Sequence, residues 1–167
     1  LKTVKASLVI AQFGAMEALE GRQRLDDFRG SLTTLIEQLK TDDRRVVLIT
    51  PTRFETPEDA ATPDVAEQNG VLEGYVSAMQ QVCAEQELPL VDLFHTISAD
   101  LTDNGVHVRR SSQAIIAAEI ARQLGLTETK VSADQLQKAP IALFGNRQQS
   151  ELLRTAVVEK HRLWYDY

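Results

Sequence analysis

Ser7-Leu8-Val9-Ile10-Ala11-Gln12-Phe13-Gly14 decides the fold. The run is short and apolar, with β-branched residues at its centre, and a glycine stops it. It reads as a buried strand. The next segment has a different period. Leu25, Phe28, Leu32, Leu35, Ile36 and Leu39 recur at helical spacing, with Asp26 and Asp27 at the end where a helix dipole favours acids. Val46-Val47-Leu48-Ile49 then reads as a second strand, closed by Thr50-Pro51. Residues 51 to 66 hold Pro51, Pro57 and Pro63 and read as a long loop, of the kind that is usually functional or mobile. Leu72, Tyr75, Val76, Met79, Val82 and Cys83 form the apolar stripe of a second helix. Leu88 to Phe94 reads as a third strand. Ser111 opens a third helix, with Ile116, Ile120 and Leu124 on one face and Gly125 as its stop. Residues 126 to 150 are less regular, and a last helix is expected from about Ser150 to Trp164.

Strand and helix alternating in this way predict an α/β domain of parallel βαβ units with right-handed crossovers. In such sheets ligands bind beyond the carboxyl ends of the strands. Gly14 to Glu17, Pro51 to Glu55 and the loop leading to His107 all come after strands, so three loops are expected to meet on one edge.

Composition narrows the function. The chain has 167 residues, 43% of them hydrophobic and 25% charged, as in an ordinary globular domain. Net charge is −6 and no Lys/Arg run exceeds two residues, which argues against nucleic acid or an anionic membrane as partner. One cysteine, Cys83, excludes an internal disulfide and any CxxC metal site. No apolar stretch reaches the roughly 20 residues of a membrane span. No secretory signal is present, but the sequence starts at Leu1, so the compartment stays unknown.

The candidate chemistry lies in Leu101-Thr102-Asp103-Asn104-Gly105-Val106-His107-Val108. Asn104 and Gly105 can take positive φ, and His107 is then expected at the start of a helix, presented from a loop. The competing reading of His107 is a plain loop histidine. His95 reads as structural or exposed, and His161, among Glu159, Lys160 and Arg162, as a solvated helix residue. Cys83 reads as core. Asp26, Asp27, Asp42 and Asp43 read as capping and solvated charges without the His or Cys neighbours of a transition-metal site. Trp164, Tyr165 and Tyr167 suit either a carbohydrate platform or, more commonly, packing on the core.

Phe13-Gly14-Ala15-Met16-Glu17 followed by Gly21 resembles the third block of the SGNH (GDSL-type) hydrolases, Gly-x-Asn-Asp or Gly-x-Asn-Glu. Asn104-Gly105-Val106-His107 resembles their fifth block, Asp-x-x-His. Ile49-Thr50-Pro51-Thr52-Arg53 resembles the strand and loop between, and Asn69, Leu72, Tyr75 and Met79 the helix after it. The resemblance runs from about Ser7 to Leu126, and is nearest to large SGNH-like proteins of planctomycete type, where a Lys-x-x-Leu-Trp helix such as Lys160 to Trp164 is also found. It implies a three-layer α/β/α, flavodoxin-like parallel sheet over residues 1–126, incomplete here, with 127–167 an irregular segment and C-terminal helix packed on it. It implies hydrolysis of acetyl or acyl esters of carbohydrate or lipid, without metal or cofactor. A serine attacks, a histidine takes its proton, an acid orients the histidine, and backbone and side-chain N–H groups hold the oxyanion.

Carried over residue by residue, His107 falls on the catalytic histidine and Asn104 on its acid. Asp103, one residue early, is a candidate substitute. Gly14 falls on an oxyanion-hole position. Met16 falls on the oxyanion asparagine, and a thioether cannot donate; losing one such donor costs about a hundred- to a thousand-fold in rate. Met16 can instead simply fill an apolar gap. The Gly-Asp-Ser nucleophile block is absent. Ser7 precedes its strand, and Ser111 and Ser112 read as helix caps. A sheet lacking its first strands should expose an edge. Two accounts stay open: part of a longer protein with further domains, or a catalytically dead relative acting as a binding or interaction domain. In either the isolated chain should have little or no esterase activity. A third reading, an unrelated flavodoxin-like anion binder, lacks the Gly-rich loop it would need.

Overall fold

The computed structural model describes residues 6–40, 44–97 and 100–126. Three strands, β1 (Leu8–Gln12), β2 (Arg45–Ile49) and β3 (Leu90–Val91), form one sheet in the order β1-β2-β3, and both pairs are parallel. Among the described residues five α-helices accompany them: α1 (Ala15–Leu19), α2 (Leu25–Leu39), α3 (Asn69–Glu85), the single turn α4 (Leu93–Thr96) and α5 (Gln113–Gln123).

The register assigns each strand residue to a face. Val9 pairs with Val46 and Ala11 with Leu48, while Ile10 pairs with Val47 and Gln12 with Ile49. Side chains alternate along a strand, so the two sets look to opposite sides. Val46 and Leu48 pack with Phe28, Leu32 and Ile36 of α2 and with Leu72, Tyr75, Val76 and Met79 of α3. Those are the apolar positions that recur at helical spacing in the sequence. The rings of Phe28 and Tyr75 meet edge to face at 5.0 Å where α2 crosses α3. On the other side Val47, Ile49 and Val91 pack with Leu93, Ile97 and Leu101, against Ile115, Ile116, Ile120 and Leu124 of α5. The sheet thus lies between two helical layers.

Three expectations need correction. The run Leu88 to Phe94 is a strand only over Leu90–Val91. Asp92 caps a helical turn, accepting from the His95 N–H at 3.1 Å, and the buried Thr50 hydroxyl accepts from the N–H groups of Leu93 and Phe94. Local capping by Asp and Thr overrides the apolar pattern. His107 does not open a helix. It lies in a hairpin closed by an antiparallel bridge from Thr102 to Val108, and α5 begins only at Gln113. Of its turn residues, Gly105 alone has positive φ (+84°); Asn104 instead accepts backbone N–H bonds through its side chain. The helix expected from Ser150 to Trp164, and the rest of 127–167, lies outside the described residues.

β1 is an edge. Among the described residues only β2 pairs with it, and on its α5 side Leu8 and Ile10 are 42% and 50% exposed. α5 covers β2 and β3 and stops short of β1.

Candidate functional site

The His107 hairpin is built from its own backbone. Asp103 N–H donates to the His107 carbonyl at 3.1 Å, and Arg109 N–H to that of Leu101 at 2.8 Å. Inside it Asn104 Oδ1 accepts from the N–H groups of His107 (2.8 Å) and Val106 (3.2 Å). The Asn104 Nδ2 stands 2.9 Å from His107 Nδ1, against 3.3 Å for Oδ1. The Asn104–His107 pairing suggested by the sequence is therefore made. Asp103 contributes its backbone; among the described residues its carboxylate makes no bond to the ring.

Glu55, five residues beyond Thr50 at the β2 end, ties this hairpin to the sheet. Its carboxylate accepts from Leu101 N–H (2.9 Å), Thr102 N–H (2.8 Å) and the Thr102 hydroxyl (2.5 Å). Its own N–H donates to the Gly105 carbonyl at 2.9 Å. The chains approach so closely that a Cβ on Gly105 would collide with the Glu55 carbonyl oxygen. Glycine is required there twice over, for the φ and for the space. Sequence reasoning saw Glu55 only as the end of a strand-end loop, since nothing local marks an acid whose donors lie 46 and 47 residues away.

The Gly14 loop is less favourable to catalysis. Gly14 has φ +103° and precedes α1, and its N–H, the group expected to hold an oxyanion, donates to the Glu17 carboxylate at 2.9 Å. A Glu at this spacing from a helix start commonly reaches back to the capping residue's N–H. Met16 is 64% exposed, so it does not fill an apolar gap. Neither residue presents a free donor.

The predicted loops nevertheless share one cavity. Gln12 and Ala15, which flank Gly14, and Val106 and Val108, which flank His107, line a space of about 290 Å³ with Pro51, Thr52, Phe54, Gln113 and Ile116. Gln12 also donates to the Thr50 carbonyl on the neighbouring strand end at 3.0 Å. A neighbouring space of about 430 Å³ shares Thr52 and Phe54 and adds Arg53, Glu55, Thr56, Ile97, Asp100 and Leu101. There the Arg53 guanidinium lies 4.6 Å over the Phe94 ring. Asn69, at the start of α3, holds this long loop by bonding both the N–H (2.8 Å) and the carbonyl (2.9 Å) of Phe54.

A second histidine has the same spacing. In Asp92-Leu93-Phe94-His95 the Asp92 Oδ2 lies 2.7 Å from His95 Nδ1. Its four-residue pattern was visible in the sequence. Neither histidine itself lines the two cavities, but only His107 has its chain neighbours in one of them, and the His95 Nε2 faces Glu73 at 4.0 Å. Cys83 is 3% exposed, and burial pushes its thiol up to about 11, so it stays a thiol at neutral pH. Among the described residues no group of three His, Cys, Asp or Glu could hold a metal ion, and no helix is long and apolar enough to cross a membrane.

No family model matches the chain, and no curated protein matches it. Solved structures do. An acetylxylan esterase from Geobacillus stearothermophilus superposes with a TM-score of 0.58 at 20% identity, over 75% of this chain and 62% of that one. The lipase/acylhydrolase from Enterococcus faecalis gives 0.58 at 24% identity, over 74% and 64%. A possible lipase from Chitinophaga pinensis gives 0.53 at 20% identity, over 72% and 74%. The chain has the α/β fold of these esterases and acylhydrolases, the SGNH-hydrolase fold, and spans less than two thirds of the length of the first two.

Proposed function

We propose that this chain is the histidine-bearing part of an SGNH-type (GDSL-type) hydrolase domain that acts on carboxylic esters, acetyl or acyl esters of a carbohydrate or lipid. The strand carrying its serine nucleophile lies outside this chain. One observation carries the reading: residues flanking Gly14 and residues flanking His107 line a single cavity at the carboxyl edge of a parallel sheet. The outer edge of β1, which no other strand among the described residues pairs with, supports it, because a strand added there would end beside that cavity. In this mechanism a serine delivered from the added strand attacks the acyl carbon and His107 takes its proton. The Gly14 N–H holds the oxyanion once the Glu17 carboxylate has moved off it. The narrower likeness to planctomycete-type proteins rests on Lys160 to Trp164, outside the described residues.

A second reading, a non-catalytic binding or interaction domain of the same fold, is favoured by three observations. Met16 is exposed where a donor is wanted, Gly14 N–H is occupied, and an amide stands at position 104.

Intact-mass analysis after treatment with a fluorophosphonate, beside hydrolysis of p-nitrophenyl acetate, separates the two. This chain should give neither adduct nor turnover. A longer product of the same gene with an upstream strand should give both, with the turnover lost in His107→Ala. An adduct on this chain that depends on His107 would overturn the missing nucleophile. A longer product that is inert to the probe would leave the binding reading standing.

A further inference from the structure

Two histidines sit three residues beyond a side chain that holds their Nδ1, and the holders differ. At His95 the holder is the Asp92 carboxylate, an acceptor only, 2.7 Å away. A neutral His95 must therefore carry its proton on Nδ1. At His107 the holder is the Asn104 carboxamide. Its oxygen already accepts two backbone N–H bonds, from His107 and Val106, which fixes the amide orientation. Reversing the amide would point its NH2 group at two N–H donors. The NH2 group is thus the nearer part of the amide to the ring, 2.9 Å from Nδ1 against 3.3 Å for Oδ1. A donor facing Nδ1 needs a lone pair there, which sends the imidazole proton to Nε2.

We propose that Asn104 holds His107 as the Nε2–H tautomer, so that this histidine offers its exposed face as a hydrogen-bond donor. In this resting tautomer Nε2 meets acceptors, such as the carbonyl oxygen of an ester or the carboxylate of an acid. To take a serine's proton, as the proposed mechanism requires, the ring must first leave this tautomer for the Nδ1–H form, and the Asn104 amide opposes that shift. This deepens the reading of the His107 loop as the ester site and rests on it. Exchanging the acid for an amide in a Ser-His-acid triad stabilises the wrong tautomer and lowers kcat about 10⁴-fold. The same position in this chain acts as a tautomer switch, with Asn104 as the positioning residue.

Long-range ¹H–¹⁵N NMR of the imidazoles, at a pH where both rings are neutral, reads the proton positions without any turnover. His95 serves as the internal reference. The expected wild-type spectrum has His95 protonated on Nδ1 and His107 on Nε2. Asn104→Asp keeps both backbone bonds of the hairpin and should move His107 to the His95 pattern. Asn104→Ala should leave His107 in a mixture of the two. Wild-type His107 showing the His95 pattern would overturn the proposal, and so would a His107 spectrum identical in wild type and the Asp variant. Because the readout needs no nucleophile, an inert longer protein would count against ester hydrolysis alone. In a longer protein that turns over, Asn104→Asp should raise kcat by up to about 10⁴-fold.

Discussion

Thr50 is fully buried where β2 ends, and one hydroxyl there serves three partners. It accepts from the N–H groups of Leu93 (2.8 Å) and Phe94 (3.0 Å) and donates to Asp92 Oδ1 at 3.3 Å. This hydroxyl ends β3 early and starts the turn that carries Asp92 and His95. Valine has nearly the same shape and would strand two backbone donors away from water. Each costs about 1–3 kcal/mol, so Thr50→Val should lower stability by roughly 2–6 kcal/mol in urea unfolding. Thr50→Ser keeps the hydroxyl and should lose less than about 1.5 kcal/mol. A Thr50→Val protein as stable as wild type would show that these bonds contribute nothing net. In the sequence Thr50 was legible only as a strand stop, because its partners lie 42 to 44 residues away. The same distance hid Glu55, whereas Asn104 and His107, three residues apart, were found together.

At the scale of elements, carboxamides and carboxylates do much of the joining. Gln123 near the end of α5 bonds both the Asp92 N–H (2.8 Å) and the Asp92 carbonyl (2.9 Å), as a neighbouring strand would. Glu119, one turn earlier, accepts from the Gln123 amide (2.7 Å) and from two Arg122 nitrogens (2.8 and 2.6 Å). The Arg122 bonds pull its carboxyl down to about 2, against the desolvation that opposes them. The folded value lies below the ordinary one of about 4.3. The charged form therefore stabilises the fold above roughly pH 4.5, and that stabilisation is lost as pH falls towards 2. Urea midpoints should drop over that window, and Glu119→Gln should flatten the drop. An unchanged acid profile in the variant would put the loss on other carboxylates. The helices α2, α3 and α5 were legible because each has a clear apolar period. The single turn α4 and the short β3 were not, since capping by Asp92 and Thr50 outranks an apolar run of that length.

At the scale of the whole molecule the decisive feature is the outer side of the sheet that the described residues form. β1 pairs only with β2 among the described residues, and its sequence from Ser7 to Phe13 has no Lys, Pro or inward charge of the kind that blunts edge strands. Leu8 and Ile10 add exposed apolar surface beside that edge. An unpaired, uncharged edge with an apolar face is a template for another strand. The isolated chain should therefore associate as its concentration rises in sedimentation velocity. Ile10 is half exposed, so Ile10→Lys should cost little stability while placing a charge on the open face, and should shift the chain towards monomer. The outcome bears on function as well as solubility, because the same edge is where a nucleophile strand would have to pair. A longer gene product that fills the edge should stay monomeric at concentrations where this chain associates. If the chain alone stays monomeric and Ile10→Lys changes nothing, the edge is already covered, and a catalytic strand has no place to enter.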